Sequence, residues 1–189
     1  MSATPPSAPH VRDAGEADVA AIQTIYATHV RTGLASFEEV PPDLAEMAKR
    51  MHDIQQRWLP YLVSVTTDAA GDERVAGFAY ASPFRARSAY RYTIEDSVYV
   101  DRDAIGQGHG RALLGELIAR CTAQGYRQMI AVIGDTANAA SIGLHRHMGF
   151  VETGSMPAVG FKFGRWVDSV RMQRPLGPGS SALPDDFPS

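Results

Sequence analysis

The sequence predicts an α/β fold of the mixed α+β kind, a central sheet of about seven strands flanked by about four helices. Three observations point there. Apolar periodicity switches between two and 3.6 along the chain in the order βααβββαβαββ. An alternating strand, Thr93–Val100, runs through Asp101–Ile105 into Gly106, Gly108 and Gly110 and then directly into a helical pattern. The 189 residues are 44% hydrophobic and 21% charged, the composition of a globular domain large enough to bury a core.

The elements follow from local pattern. His10–Asp13 is a short strand. Glu16-Ala-Asp18 opens a helix with Val19, Ile22, Ile25, Tyr26 and Val30 at helical spacing, closed by Gly33. Ser36–Pro42 is a loop, and Leu44–Trp58 a second helix with Leu44, Met47, Met51 and Ile54 on one side. Pro60 introduces the strand Tyr61–Thr67, Gly71-Asp72 marks a hairpin turn, and Arg74–Ser82 returns. Pro83–Ala89 is a loop before the longer strand Arg91–Val100. A helix over Gly108–Gln124, a strand over Gln128–Ile133 and a helix over Thr136–Met148 come next. Gly149–Ser155 and Phe161–Gln173 are the last strands, with a turn near Pro157–Gly160. The unit from Tyr92 to Ile133 is expected to be a parallel, right-handed crossover. Residues 1–9 and 177–189, rich in Pro, Ser and Gly, are expected to be disordered tails around one domain over 10–176.

Bulk properties narrow the function. A net charge of −3 favours neither nucleic acid nor an acidic membrane. No apolar run approaches the roughly 20 residues that span a bilayer, and residues 1–9 lack the regions of a signal peptide. Cys121 is the sole cysteine, so no internal disulfide forms, and its place on an apolar helix face reads as core. The chain reads as cytoplasmic. Of the six histidines only His145 and His147 are close, and they diverge on a helix, so no metal site is expected.

The glycine turn suits a pyrophosphate. Glycine admits positive φ and close backbone approach, and a helix start offers unpaired N–H groups and a positive dipole end. A nucleotide-hydrolysing loop would continue with Lys-Ser/Thr, whereas Arg111-Ala112 follows here. A dinucleotide-binding unit would place the turn after its first strand, whereas three strands precede the one that feeds this turn.

Ile105-Gly-Gln-Gly108-His-Gly110 resembles the Gln/Arg-x-x-Gly-x-Gly/Ala loop of the GNAT acyltransferase superfamily, with Ile105 where that family carries Gln or Arg. Asn138 and Leu144-His-Arg-His-Met-Gly-Phe150 are similar to its Asn…Leu-Tyr-x-x-x-Gly-Phe segment. The chain is more specifically similar to the phosphinothricin N-acetyltransferase group, through Ser36-Phe37, Ala79-Tyr80-Ala81, Phe84-Arg-Ala-Arg-Ser-Ala-Tyr90, Tyr92-Thr-Ile-Glu95, Ser97–Val100, Ala131–Gly134, Leu144-His145 and Gly164–Asp168. That resemblance spans about residues 10 to 174.

It implies the GNAT fold and acetyl transfer from acetyl-CoA to a primary amine by direct attack. Such chemistry needs a base for the ammonium, polarisation of the thioester, and a proton or stabilisation for the thiolate. The resemblance makes Glu95 the general base, and His145 the acid toward the thiolate or an alternative base. It places the pantetheine arm along the backbone of Val98, Tyr99 and Val100 as an added strand. Gly106, Gln107, Gly108, His109, Gly110 and Arg111 would hold the pyrophosphate, with Gln107 or Arg111 standing in for the side chain missing at Ile105. Asn138 would either bond the arm or cap a helix.

Arg85, Arg87 and Arg91, interleaved with Phe84, Tyr90 and Tyr92, read as a pocket wall for an anionic small molecule. Arg85, Arg87, Phe37 and Tyr90 are the substrate-binding candidates. The expected substrate is the α-amino group of phosphinothricin or a related amino acid. Methionine sulfoximine or sulfone is the alternative, and a non-catalytic acyl-CoA sensor or a protein N-acetyltransferase stand further off. Members of the group are commonly homodimers, which would put Trp58, Phe84 and the last strands at an interface.

Overall fold

The computed structural model describes residues 8–67 and 71–184. Four helices, α1 (Val19–Thr32), α2 (Leu44–Gln55), α3 (His109–Ala123) and α4 (Ala139–His147), flank one sheet. Its strands are β1 (His10–Asp13), β2 (Tyr61–Thr67), β3 (Glu73–Pro83), β4 (Thr93–Val100), β5 (Gln128–Gly134), β6 (Val151–Lys162) and β7 (Arg165–Pro175), in the spatial order β1-β2-β3-β4-β5-β7-β6. Every pairing is antiparallel except β4 with β5, the pair that α3 connects.

Period-two alternation divides the core between the two faces of the sheet. One face packs Tyr61, Val63, Phe78 and Tyr99 under Ile22, Ile25, Tyr26 and Val30 of α1 and Met47 and Met51 of α2. The other packs Leu62, Ala79, Ile94, Met129 and Met172 under Leu113, Leu114 and Leu117 of α3. Cys121 lies in that second core, where burial, then the charge of Asp96, pushes its thiol up to about 12. It is too poor a thiolate for nucleophilic work.

Four local features depart from the sequence expectation. The last hairpin turns at Phe163-Gly164, not at Pro157–Gly160. Both turn residues have positive φ (52° and 72°), the backbone that matches strand twist in a two-residue turn. The residues between Met156 and Gly160 instead shift the register of β6, where Ala158 N–H bonds the Asp168 carboxylate at 2.8 Å. Helix α4 begins at Ala139 rather than Thr136, because Asp135 (φ 70°) turns the chain and accepts from Ala137 N–H at 3.0 Å. Helix α2 ends at Gln55, short of Trp58.

Among the tails, residues 1–7 and 185–189 lie outside the described residues. Residues 177–184 carry turn bonds from Gly179 N–H to Leu176 O (2.9 Å) and Ser181 N–H to Pro178 O (3.0 Å). No helix among the described residues is long and apolar enough to cross a membrane.

Candidate active site

The parallel pair that centres the sheet is short. β4 and β5 are in register only over Thr93–Asp96 and Gln128–Ala131, so Ser97–Val100 leave their β5-facing edge without a strand. Into this splay opens a groove of about 560 Å³, lined by Leu34 and Ala35 after α1, Val98 and Val100 of β4, the glycine turn, and Asn138, Ser141 and Leu144 of α4. An unpaired strand edge beside an apolar channel fits an extended arm bearing amide groups.

At the groove's far end Gly106 (φ 81°) and Gly108 (φ 90°) turn the chain into α3. Gly110 lets the neighbours close in: a methyl there would sit 3.2 Å from Leu144 Cδ2. The first N–H groups of α3 have no carbonyl one turn earlier, and a helix start of this kind suits an anion. Arg111 lines the groove, as does the exposed Ile105. Gln107 does not replace the missing side chain: its Nε2 donates to Asp103 O at 2.8 Å, back into the preceding turn. The His109 ring is buried and bonds Ser64 Oγ through Nδ1 at 2.8 Å, which leaves its backbone alone to face the groove. Tyr99 also offers only backbone, because its ring packs edge-on against Tyr26 at 5.0 Å. Asn138 caps α4, accepting from Ser141 N–H at 3.2 Å, while lining the groove.

Alternation sends Glu95 to one face of β4 and Asp96 to the other. Glu95 is half-buried beside Ser82 of β3. Burial, then the neighbouring Asp96 charge, pushes its carboxyl above the ordinary range, and Arg85 pulls against them. The Arg85 guanidinium lies over the Phe84 ring at 5.1 Å and the Tyr90 ring at 5.9 Å. Arg87 starts the short turn Ser88–Tyr90 on the same exposed loop, and Arg91 covers Tyr92 at 4.7 Å. On this face the sheet and the helices enclose a pocket of about 320 Å³ lined by Tyr26, Met47, Arg50, Tyr61, Tyr80 and Ser82. Arg50 is held at 2.7 Å by Glu38, which also accepts from Tyr26 Oη at 3.0 Å.

His145 is buried, and both of its ring nitrogens are engaged. Nδ1 lies 2.8 Å from Ser141 O and Nε2 lies 2.9 Å from Asp96 Oδ2. A carbonyl only accepts, so Nδ1 carries a proton, and a second proton must lie between Nε2 and the carboxylate. Burial lowers the imidazole pKa, but the Asp96 hydrogen bond and charge and the Ser141 carbonyl outweigh it, and the net direction is up. Asp96 is the residue that the sequence reading passed over. Its signal was there: alternation puts an acid on the same buried face as Ile94 and Val98.

Phe37 stands apart from the arginine loop, against β5 and β6. A methyl on Gly160 would sit 2.5 Å from its ring, and one on Gly134 would overlap the Leu34 carbonyl oxygen. Gly134→Ala is therefore expected to lower the melting temperature and weaken acetyl-CoA binding together. Overpacking of this kind costs about 1–3 kcal/mol, whereas alanine in an open strand would be neutral or better. An unchanged melting temperature would show that the backbone relaxes freely here.

Among the described residues no group of three or more His, Cys, Asp or Glu is placed to hold a metal. The family model for the acetyltransferase (GNAT) domain matches residues 11–171. The chain belongs to the GNAT acetyltransferase family. As a GNAT acetyltransferase it uses acetyl-CoA as co-substrate, and the splayed strand and glycine turn fit that molecule's arm and pyrophosphate. It is 55% identical over 175 residues to a phosphinothricin N-acetyltransferase of Alcaligenes faecalis, covering 93% of this chain and 86% of the relative. It is 45% identical over 172 residues to an L-methionine sulfoximine/L-methionine sulfone acetyltransferase of Pseudomonas aeruginosa, covering 91% and 97%. The crystal structure of a phosphinothricin acetyltransferase from Sinorhizobium meliloti in complex with AcCoA superposes with a TM-score of 0.89 at 49% identity, covering 95% of each chain.

Proposed function

We propose that this GNAT acetyltransferase acetylates the α-amino group of phosphinothricin or a closely related amino acid. The observation that carries the reading is the half-buried Glu95 electrostatically linked to Arg85, on the face of β4 that also carries an aromatic pocket. Glu95 takes the proton of the substrate ammonium, directly or through a water. The amine nitrogen attacks the thioester carbon, the C–N bond forms, the C–S bond breaks, and the second proton that the nitrogen sheds passes to the departing CoA thiolate. Arg85 and Arg87 hold the acidic groups of the substrate, with Tyr90 as an apolar wall; Phe37, packed against Gly160, stands outside that wall. Backbone of Val98–Val100 pairs the pantetheine arm with Asn138 beside it, and Gly106–Arg111 hold the pyrophosphate. The His145–Asp96 pair borders the splay, and His145 is the second candidate, an acid toward the thiolate that can give its Nε2 proton only when the bond to Asp96 opens.

Methionine sulfoximine or sulfone is the second reading, supported by the Pseudomonas relative. Each presents a tetrahedral polar group beside an α-amino acid. We further propose a cytoplasmic homodimer that inactivates herbicide-like or antibiotic amino-acid analogues. The exposed apolar residues Val159, Phe161, Phe163 and Trp166 on the β6–β7 hairpin support the dimer. A free-CoA release assay over a panel of amino-acid analogues tests the substrate. The expected result is a higher kcat/KM for phosphinothricin than for methionine sulfoximine, and for both above the ordinary amino acids. Equal failure across the panel would overturn the substrate reading and leave the fold intact.

A further inference from the structure

Of the twelve residues of β6 only Gly160 and Lys162 are buried. Both close on one segment, the connector that leaves α1 at Gly33. Gly160 receives the ring of Phe37. Lys162, 1% exposed, donates from Nζ to Gly33 O at 3.0 Å and to Ser36 O at 2.7 Å. Gly33 caps the C-terminus of α1, where carbonyls lack helical partners and the dipole end is negative, so a cation there meets both needs. The ammonium also lies 5.0 Å from the Phe163 ring centroid. A lysine is almost never this buried without such partners.

The connector is the wall between the two halves of the site. Gly33, Leu34 and Ala35 line the cofactor groove. Ser36 bonds Tyr26 Oη at 3.0 Å, and Glu38 N–H donates to Ser36 Oγ at 3.2 Å. Glu38 in turn grips Tyr26 and Arg50, two residues of the pocket on the amine face. Lys162 thus ties Gly33 and Ser36, the two ends of a segment that lines the cofactor groove and that, through Ser36 and Glu38, bonds Tyr26 and Arg50 of the pocket on the other face.

We propose that Lys162 is a positioning residue that latches the Gly33–Phe37 connector and so sets the shape of both the acetyl-CoA groove and the amine pocket. The inference rests on the acetyltransferase reading of those two cavities. Lys162→Met keeps the stem and removes the donors. It is expected to raise the Kd for acetyl-CoA and the KM for the amine about tenfold each, with a smaller fall in kcat, as for the loss of a charged hydrogen bond that holds a binding wall. Lys162→Arg is expected to recover part of both. Gly160→Ala, which strikes the connector through Phe37, is expected to give the same pattern.

Acetyl-CoA affinity is measured by calorimetry without amine, so it reports on the latch whatever the amine turns out to be. Wild-type protein that binds no acetyl-CoA would sink the functional reading instead. A core variant on α3, Leu117→Ala, serves as the stability control, with all constants taken well below the melting temperature. The proposal is overturned if folded Lys162→Met keeps both constants, or if Leu117→Ala, at an equal loss of melting temperature, shifts them as much.

Discussion

Glu95→Gln is expected to lower kcat by about 10²–10⁴-fold, the usual span for a lost general base, with acetyl-CoA affinity unchanged. Glutamine keeps the volume and the hydrogen-bonding reach but cannot accept the ammonium proton. The cofactor groove lies beyond the splay and takes no side-chain contribution from Glu95, so its binding provides the internal control. The wild-type pH profile follows from the same environment. Burial, then the Asp96 charge, holds the Glu95 carboxyl above the ordinary carboxylate range, and Arg85 opposes them. The base works ionised, so kcat/KM rises with pH along a limb that lies above that range. Arg85→Ala removes the opposing cation and is expected to move the limb to higher pH, besides raising the KM of the amine. The stability contribution runs the other way. A carboxyl raised in the fold binds its proton more tightly folded than unfolded, so stability falls as pH climbs from the ordinary value through the raised one. Turnover that survives Glu95→Gln would remove Glu95 as base and leave the acceptor of the proton to be sought elsewhere on that face.

The parts of the fold legible in the sequence are those that local physics controls. The helical faces Val19–Val30 and Leu44–Ile54, the alternation of Tyr61–Thr67, and the glycine turn each state their period or their backbone need within a dozen residues. The last hairpin was misread for a physical reason. Pro157 and Gly160 carry the composition of a turn, yet β7 pairs on both sides of them and absorbs them as an irregularity. The turn itself uses Phe163, whose positive φ no propensity would suggest. The site divides in the same way. Glu95 and the arginine loop are contiguous and visible. The clamp of Gly134 and Gly160 on Leu34 and Phe37, and of Lys162 on Gly33 and Ser36 up to 129 positions away, forms only when the sheet brings them together. Asp96 was readable as an acid on an apolar face, but its partner lies one crossover and one helix away, at His145.

His145→Leu is expected to destabilise the protein by about 3–5 kcal/mol, the cost of removing one partner from a buried charge pair. The pair is nearly sealed, with side-chain exposures of 4% for His145 and 2% for Asp96. Asp96 Oδ1 already lacks a protein partner, so losing His145 strands the whole carboxyl. Asp96→Leu alone is expected to cost less, because the imidazole can release its proton and stay neutral. The double variant Asp96→Leu/His145→Leu is expected to regain most of the stability, since apolar residues of similar volume replace a buried ion pair at little or no cost. Denaturant titration of the four proteins gives the cycle directly. The sign of the pH dependence follows from the raised His145 pKa. The stabilisation from the pair is complete below the ordinary histidine value and is lost as pH rises through the raised one. Asp96→Asn removes the charge that holds the proton, so that alkaline loss should vanish in the variant. Additive losses in the cycle, or the same alkaline slope in Asp96→Asn, would mean that His145 and Asp96 pack side by side as neutral neighbours. The ring would then be available as a base, and the proton between Nε2 and Oδ2 would have no role in the fold.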